Sequence, residues 1–312
     1  MLVNKDSKIF LAGHKGMVGS AILKNLKKKK YKNIITIDKK KLNLLNQNQT
    51  EKYIKKIIQA CVLIAASRVG GILENNNYKA NFIYENLMIQ TNLIHSSFLA
   101  GVKKLIFLGS SCIYPKFAKQ PINENQLLSG RLENTNDAYA VAKIAGIKMC
   151  EAYNKQYKLN YLCLMPTNLY GPNDNYNLHT SHFFPALIKK IHSAKQKNKK
   201  KLTIWGDGKS KRELMYVDDL ANACEFFLRK KTKHSLINIG SGLEKNIEEY
   251  ARFIMKKLKV NLDIKKDKSK PNGTPRKILN SKLAKSYGWK PKINLDNGFD
   301  FTYQNFLKKN FK

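Results

Sequence analysis

The sequence predicts an α/β fold, a doubly wound parallel sheet joined to a smaller α/β lobe. Three observations carry this. Short apolar runs alternate with segments of helical period through the first half of the 312-residue chain. Glycines recur at every third position directly after the first run, and beyond Pro172 the alternation becomes irregular. Strands separated by helices pair through crossovers, which gives parallel sheets covered on both faces.

In chain order, residues 8–12 read as an apolar strand and 20–28 as a helix, the first βα unit. A strand over 33–37, a helix over 47–58, a strand over 61–65, a long helix over 78–100 and a strand over 103–108 follow. A helix over 138–157 then leads to a strand over 161–165. After Pro172 come a helix over 183–194, a strand over 202–205, a helix over 217–229 and a strand over 236–239. This pattern divides the chain into a dinucleotide-binding domain, 1–172 with 212–240, and a substrate lobe, 173–211 with 241–312. No internal repeat or low-complexity linker separates them, so the two should pack closely around a cleft.

Composition narrows the function. The chain opens without a signal-peptide core, and no stretch approaches the roughly 18 apolar residues of a membrane span, so a soluble cytoplasmic protein is expected, with no membrane partner. Cys61, Cys112, Cys150, Cys163 and Cys224 form no CxxC pair, which argues against a zinc site or a disulfide framework; no metal is expected. Cys61, Cys150, Cys163 and Cys224 sit in apolar runs and read as packing residues. The net charge of +36 invites a polyanion partner. Only six of the 58 basic residues are arginine, however, and the lysines spread over the whole chain. This is a compositional bias with adsorption at low salt as its consequence, and no specific nucleic-acid partner is expected.

Gly13, Gly16 and Gly19, interleaved with His14, Lys15, Met17 and Val18, follow a strand and open a helix. That context lets backbone N–H groups and the helix N-terminus hold a pyrophosphate, as in a Rossmann-type unit. Asp38 ends the second strand, where a carboxylate would take the ribose hydroxyls of NAD, whereas Lys15 and Lys39 suit a 2′-phosphate. The reading favours NADP, with NADPH as hydride donor, and leaves NAD open.

Ser110-Ser111-Cys112 ends an apolar strand, and Tyr139 and Lys143 lie four apart on one helix face. The lysine charge is expected to favour the ionised tyrosine and so make the pair able to exchange a proton with a carbonyl or alcohol.

With this loop, Ser110, Tyr139, Lys143 and the segment from Arg212 to Asp219, the chain resembles the extended short-chain dehydrogenase/reductase family, whose Ser-Tyr-Lys triad moves a proton while hydride moves to or from nicotinamide. Residues 12–20, 69–72, 109–115, 165–172 and 273–277 are similar to the GDP-4-keto-6-deoxy-D-mannose 3,5-epimerase/4-reductases of that family, essentially end to end. The resemblance implies inversion of two carbons flanking a ketone, then NADPH reduction at C4 to give GDP-L-fucose. It implies Cys112 and His182 as the epimerising pair. His182, unlike His179 or His192, precedes an apolar helix with Pro185 in its first turn. It places the cofactor against residues 13–19, Lys39, Leu108, Gly109, Ser110, Ser111, Lys143, Pro166, Thr167, Asn168, Leu169 and His182. It carries Lys190, Trp205, Arg212, Asn272 and Lys277 to the GDP-sugar. Relatives often have arginine at Lys190 and aspartate at Asn272, and lysine lacks the bidentate fork of arginine. It further implies a homodimer built on the helices over 78–100 and 138–157. The nearest alternative is another NAD(P)-dependent nucleotide-sugar epimerase, dehydratase or reductase of the same fold. Dehydratases place acidic residues where this chain has Ser111-Cys112, and simple 4-epimerases do not need a cysteine and histidine pair. A catalytically idle cofactor sensor would have no reason to keep Ser110, Tyr139 and Lys143 together.

Overall fold

The computed structural model describes residues 3–57, 60–270 and 272–310. The expected helix end at Ile58 and the outermost residues of the two assigned domains lie outside the described residues. β1 (Ile9–Ala12) leads to α1 (Met17–Lys28), β2 (Ile34–Ile35) to α2 (Gln47–Ile57), and β3 (Cys61–Ile64) to α3 (Ile72–Asn77) and α4 (Lys79–Leu99). β4 (Lys104–Leu108) is followed by α5 (Asp137–Tyr157), β5 (Asn160–Pro166), β6 (Asn168–Tyr170) and α6 (Phe183–Gln196). Next come β7 (Lys201–Trp205), β8 (Lys211–Tyr216), α7 (Val217–Leu228), β9 (Leu236–Ile239), β10 (Glu244–Asn246) and α8 (Ile247–Lys257). β11 (Asp263–Asp267), β12 (Arg276–Lys277), α9 (Lys282–Ser286) and α10 (Leu295–Asn310) complete the order.

A parallel sheet of order β2-β1-β3-β4-β5-β9 forms the frame. Side chains alternate across a strand, and both faces here are apolar. Ile9, Leu11, Leu63, Ile106, Leu164 and Ile237 pack under α1 and α7. Phe10, Val62, Ile64, Phe107 and Cys163 pack against the opposite layer with Ile54 of α2, Leu93 of α4 and Ile147 of α5. A third core, with Tyr170, Phe184, Tyr250, Phe299 and Phe306, lies among α6, α8, α10 and the small sheets. There β8 runs between β10 and β12 and also bonds β6, while β11 pairs with β7.

The sheet reverses its winding between β1 and β3, since β1 connects outward to β2 and all later strands add on the other side. Ligand crevices in such sheets open beyond the carboxyl ends of the strands at that reversal. Buried Glu213 of β8 helps fix the crevice's far wall. Its carboxylate accepts from the N–H of Gly242 at 2.6 Å and of Leu279 at 2.9 Å, while burial raises its pKa.

Several elements differ from the sequence reading. Helix α1 begins at Met17, earlier than the expected 20, because Gly16 in extended conformation is already its N-cap. The expected strand over 33–37 shrinks to Ile34–Ile35 on the sheet edge. A separate α3 precedes the long helix, broken from it at Tyr78. Strands β6, β8, β10, β11 and β12 were not foreseen. β6, β10 and β12 span only three, three and two residues, and Asp263–Asp267 reads Asp-Ile-Lys-Lys-Asp, which gives no strand-like apolar face.

Candidate active site

The glycine loop separates packing needs from ligand needs. Gly13 has φ +88°, and a Cβ there would stand 2.5 Å from the Ala66 nitrogen; one on Gly19 would stand 2.0 Å from the Gly13 oxygen. Both glycines are required by the chain itself. Gly16 is different, because a Cβ there would meet nothing closer than 3.7 Å. The open approach at Gly16, at the N-terminus of α1, fits the pyrophosphate of a dinucleotide. Beside it, Asp38 takes Lys15 at 2.8 Å and His14 Nε2 at 3.3 Å, and Lys15 holds the carboxyl below its ordinary range. Lys39 is exposed next to this group.

A cavity of about 330 Å³ opens beyond β3, β4 and β5, between the large sheet and the third core. Leu108, Gly109, Ser110, Ser111 and Cys112 reach it from the end of β4, Tyr139 and Lys143 from α5, and Pro166, Thr167, Asn168 and Leu169 from the end of β5. Met17 and Val18 bring the glycine loop to its edge, whereas Gly13, His14, Lys15, Gly16, Gly19 and Lys39 lie off its wall. The opposite wall holds His182, Lys190, Trp205, Arg212, Asn272 and Lys277. Thr167 and Asn168 both donate to the Glu213 carbonyl, at 3.2 and 3.0 Å, which joins the two walls.

Ser110 caps a single 3₁₀ turn, its Oγ accepting from the Cys112 N–H at 3.2 Å. That turn carries Cys112 to the cavity, which Ser110 and Tyr139 also line. Ser67, three residues past β3, lines the same cavity with its Oγ donating to Asn86 Oδ1, and was not singled out in the sequence. Lys143 Nζ donates to the Leu108 carbonyl at 2.9 Å and lies 5.8 Å from the Tyr139 ring centre. The electrostatics correct one expectation. Burial, aided by Cys112, pushes the Tyr139 hydroxyl well above its ordinary range, and burial pulls Lys143 down to about 7. Desolvation, which disfavours charge on both groups, outweighs the expected help from lysine to tyrosinate.

Cys112 is half-buried, and two donors face its sulfur: Lys277 Nζ and Asn136 Nδ2, each at 3.5 Å. His182 is the N-cap of α6, with its backbone extended. Its ring opens to the cavity, and the surrounding protein together with Lys277 lowers its pKa. His192 instead sits buried on α6 with Nδ1 2.7 Å from the Tyr303 hydroxyl, and His179 is exposed.

At the other end, Lys190 Nζ lies 5.7 Å from the Trp205 ring centre and donates to the Thr203 carbonyl at 3.1 Å. Buried Arg212 is brought down to about 10 by desolvation and donates to the carbonyls of Lys211 and Asn272 at 2.8 and 3.3 Å. Asn272 Oδ1 accepts from the Asp207 N–H at 2.9 Å against Gly206, so its carbonyl oxygen holds a turn. Among the described residues no His, Cys, Asp and Glu cluster could hold a metal ion, and no helix is long and apolar enough to cross a membrane.

Residues 9–240 match the model of the NAD dependent epimerase/dehydratase family. A GDP-L-fucose synthase of Sinorhizobium fredii is 49% identical over 98% of both chains. GDP-L-fucose synthase 1 of Arabidopsis thaliana is 47% identical over 98% of this chain and 94% of its own. Among solved structures, a GDP-mannoheptose C4 reductase from Campylobacter jejuni with NADP bound superposes with a TM-score of 0.89 at 36% identity, covering 97% of this chain and 99% of that one.

Proposed function

The chain belongs to the NAD dependent epimerase/dehydratase family, and we propose that it converts GDP-4-keto-6-deoxy-D-mannose into GDP-L-fucose by inverting C3 and C5 and then reducing C4. The observation that carries this is one cavity bordered both by Ser110, Tyr139 and Lys143 and by Cys112 and His182. A reductase needs only the first group.

Hydrogens on the carbons beside a ketone are acidic because the resulting anion delocalises onto the carbonyl oxygen. Inversion therefore takes a base on one face, an acid on the other and donors at the C4 oxygen. Cys112 and His182 are the base and acid. As one removes the carbon-bound proton, the electron pair moves onto the C4 oxygen, which Ser110 and Tyr139 hold; the other returns a proton to the opposite face. The same sequence serves C3 and C5. Residues 13–19 with Lys39, Leu108 to Ser111, Lys143, Pro166 to Leu169 and His182 hold the NADP cofactor. When bound as NADPH it supplies the hydride for C4. Tyr139, kept protonated by burial, gives the C4 oxygen its proton in that step. Lys190 and Arg212 meet the diphosphate as cations, with Trp205 alongside the nucleotide. Lys277 contributes charge between the sugar and Cys112, and Asn272 supports the turn beneath the nucleotide.

In this reading residues 1–172 with 212–240 bind the dinucleotide, and 173–211 with 241–312 bind the sugar nucleotide. The enzyme works in the cytoplasm as a homodimer. The test is to incubate the purified protein with GDP-4-keto-6-deoxymannose and NADPH and follow absorbance at the reduced-nicotinamide band. Cofactor oxidation that yields GDP-L-fucose is the expected result, and no oxidation with either NADPH or NADH overturns the proposal.

A further inference from the structure

Asn136 stands at the N-cap of α5 but does not cap it. Asparagine is among the strongest capping residues, and a cap contributes about 1 kcal/mol to a helix. Here the side chain turns away from the first-turn amides, and Asp137 Oδ1 accepts from the Ala138 N–H at 2.8 Å. The amide of Asn136 instead donates through Nδ2 to the Cys112 sulfur at 3.5 Å, and its Oδ1 is buried with no hydrogen-bond partner. A local rule broken at a cavity wall, at a cost in unsatisfied polar surface, marks a functional constraint.

We propose that Asn136 is a positioning residue for epimerisation, holding the Cys112 sulfur at the cavity wall and stabilising its thiolate. This rests on the proposed function, in which the sulfur is anionic at one end of each proton transfer whether Cys112 acts as base or as acid. A donor on that anion favours it. Lys277, at the same distance, supplies the charge, and Asn136 supplies direction from a rigid helix end. The placement also ties the two chemistries together, because Asn136 lies one helical turn before Tyr139. A shift of Cys112 would be felt at the start of the helix that carries the tyrosine.

The test reads the thiol itself. Cys61, Cys150, Cys163 and Cys224 are buried, so iodoacetamide at pH 7 reports Cys112, with Cys112→Ser as the blank. Asn136→Asp keeps the size and capping ability of the residue while facing the sulfur with oxygen; Asn136→Ala removes the donor alone. Both are expected to alkylate about tenfold more slowly than wild type, the order expected for a lost hydrogen bond to a charged group. Solvent deuterium incorporation into the keto-sugar should fall comparably. Wild-type alkylation rates in both variants would overturn the inference, as would slow alkylation with unchanged deuterium exchange. If the wild-type protein shows no turnover, the functional reading fails; if it turns over while the variants alkylate normally, only the role of Asn136 fails.

Discussion

At the scale of single residues, the chemistry turns on which groups are charged before substrate arrives. Tyr139→Phe removes the proton donor to C4 and should lower NADPH oxidation at least ~100-fold, while solvent exchange at C3 and C5 persists at a reduced rate through Cys112 and His182, with Ser110 the remaining donor at the C4 oxygen. Loss of both activities together would contradict the separation of roles. His182 carries a sharper sign test. The surrounding protein and the Lys277 charge both disfavour the imidazolium. In Lys277→Met one cause is gone, so the imidazole titration followed by NMR should move upward toward the ordinary histidine value; a downward or absent shift would contradict the assignment. Most of these residues were legible in the sequence because they sit in short fixed motifs. Ser67 and Asn136 were not, since a serine after a strand and an asparagine before a helix look like ordinary turn and cap residues. Only the fold shows that Ser67 lines the same cavity as Tyr139 and that the Asn136 amide faces Cys112. The expected electrostatic help from Lys143 to Tyr139 failed for a related reason: sequence gives the spacing of two charges but not their burial.

At the scale of elements, the β1–α1 turn separates two kinds of glycine. Gly19→Ala would drive a Cβ into the Gly13 carbonyl, backbone against backbone, and should destabilise the fold by about 3 kcal/mol, read as a lower denaturation midpoint. Gly16→Ala meets nothing closer than 3.7 Å. It should melt like wild type yet bind NADPH at least about tenfold more weakly by fluorescence titration, because only the cofactor needs that space. Equal cofactor affinity would contradict the assignment of this turn. Strands of the large sheet were legible because both faces are apolar and their runs are continuous. The small strands were not. β8 derives its order from partners on either side and from the buried Glu213 carboxylate, whose N–H donors come from residues far along the chain. β11 is held by β7 through backbone pairing, with Ile264 its one apolar side chain, packed on the third core.

At the scale of the whole molecule, two cores flank the large sheet and a third lies beyond the cavity, so Ser110, Tyr139 and Lys143 on one wall face Lys190, Trp205 and Arg212 on the other. Helices α4 and α5 pack together and still expose Tyr84, Leu99, Val141 and Tyr157. Large apolar side chains left outward on paired helices suit burial against a second copy. Light scattering should give twice the chain mass of 35.8 kDa, and a monomer at working concentration would contradict the proposed dimer. The central claim is that one cavity performs inversion and reduction in sequence. It is tested most directly by running the reaction with NADPH in D₂O and reading the product by NMR. GDP-L-fucose carrying deuterium at C3 and C5 and protium at C4 is the expected product. A D-configured deoxysugar with protium at C3 and C5 would contradict it.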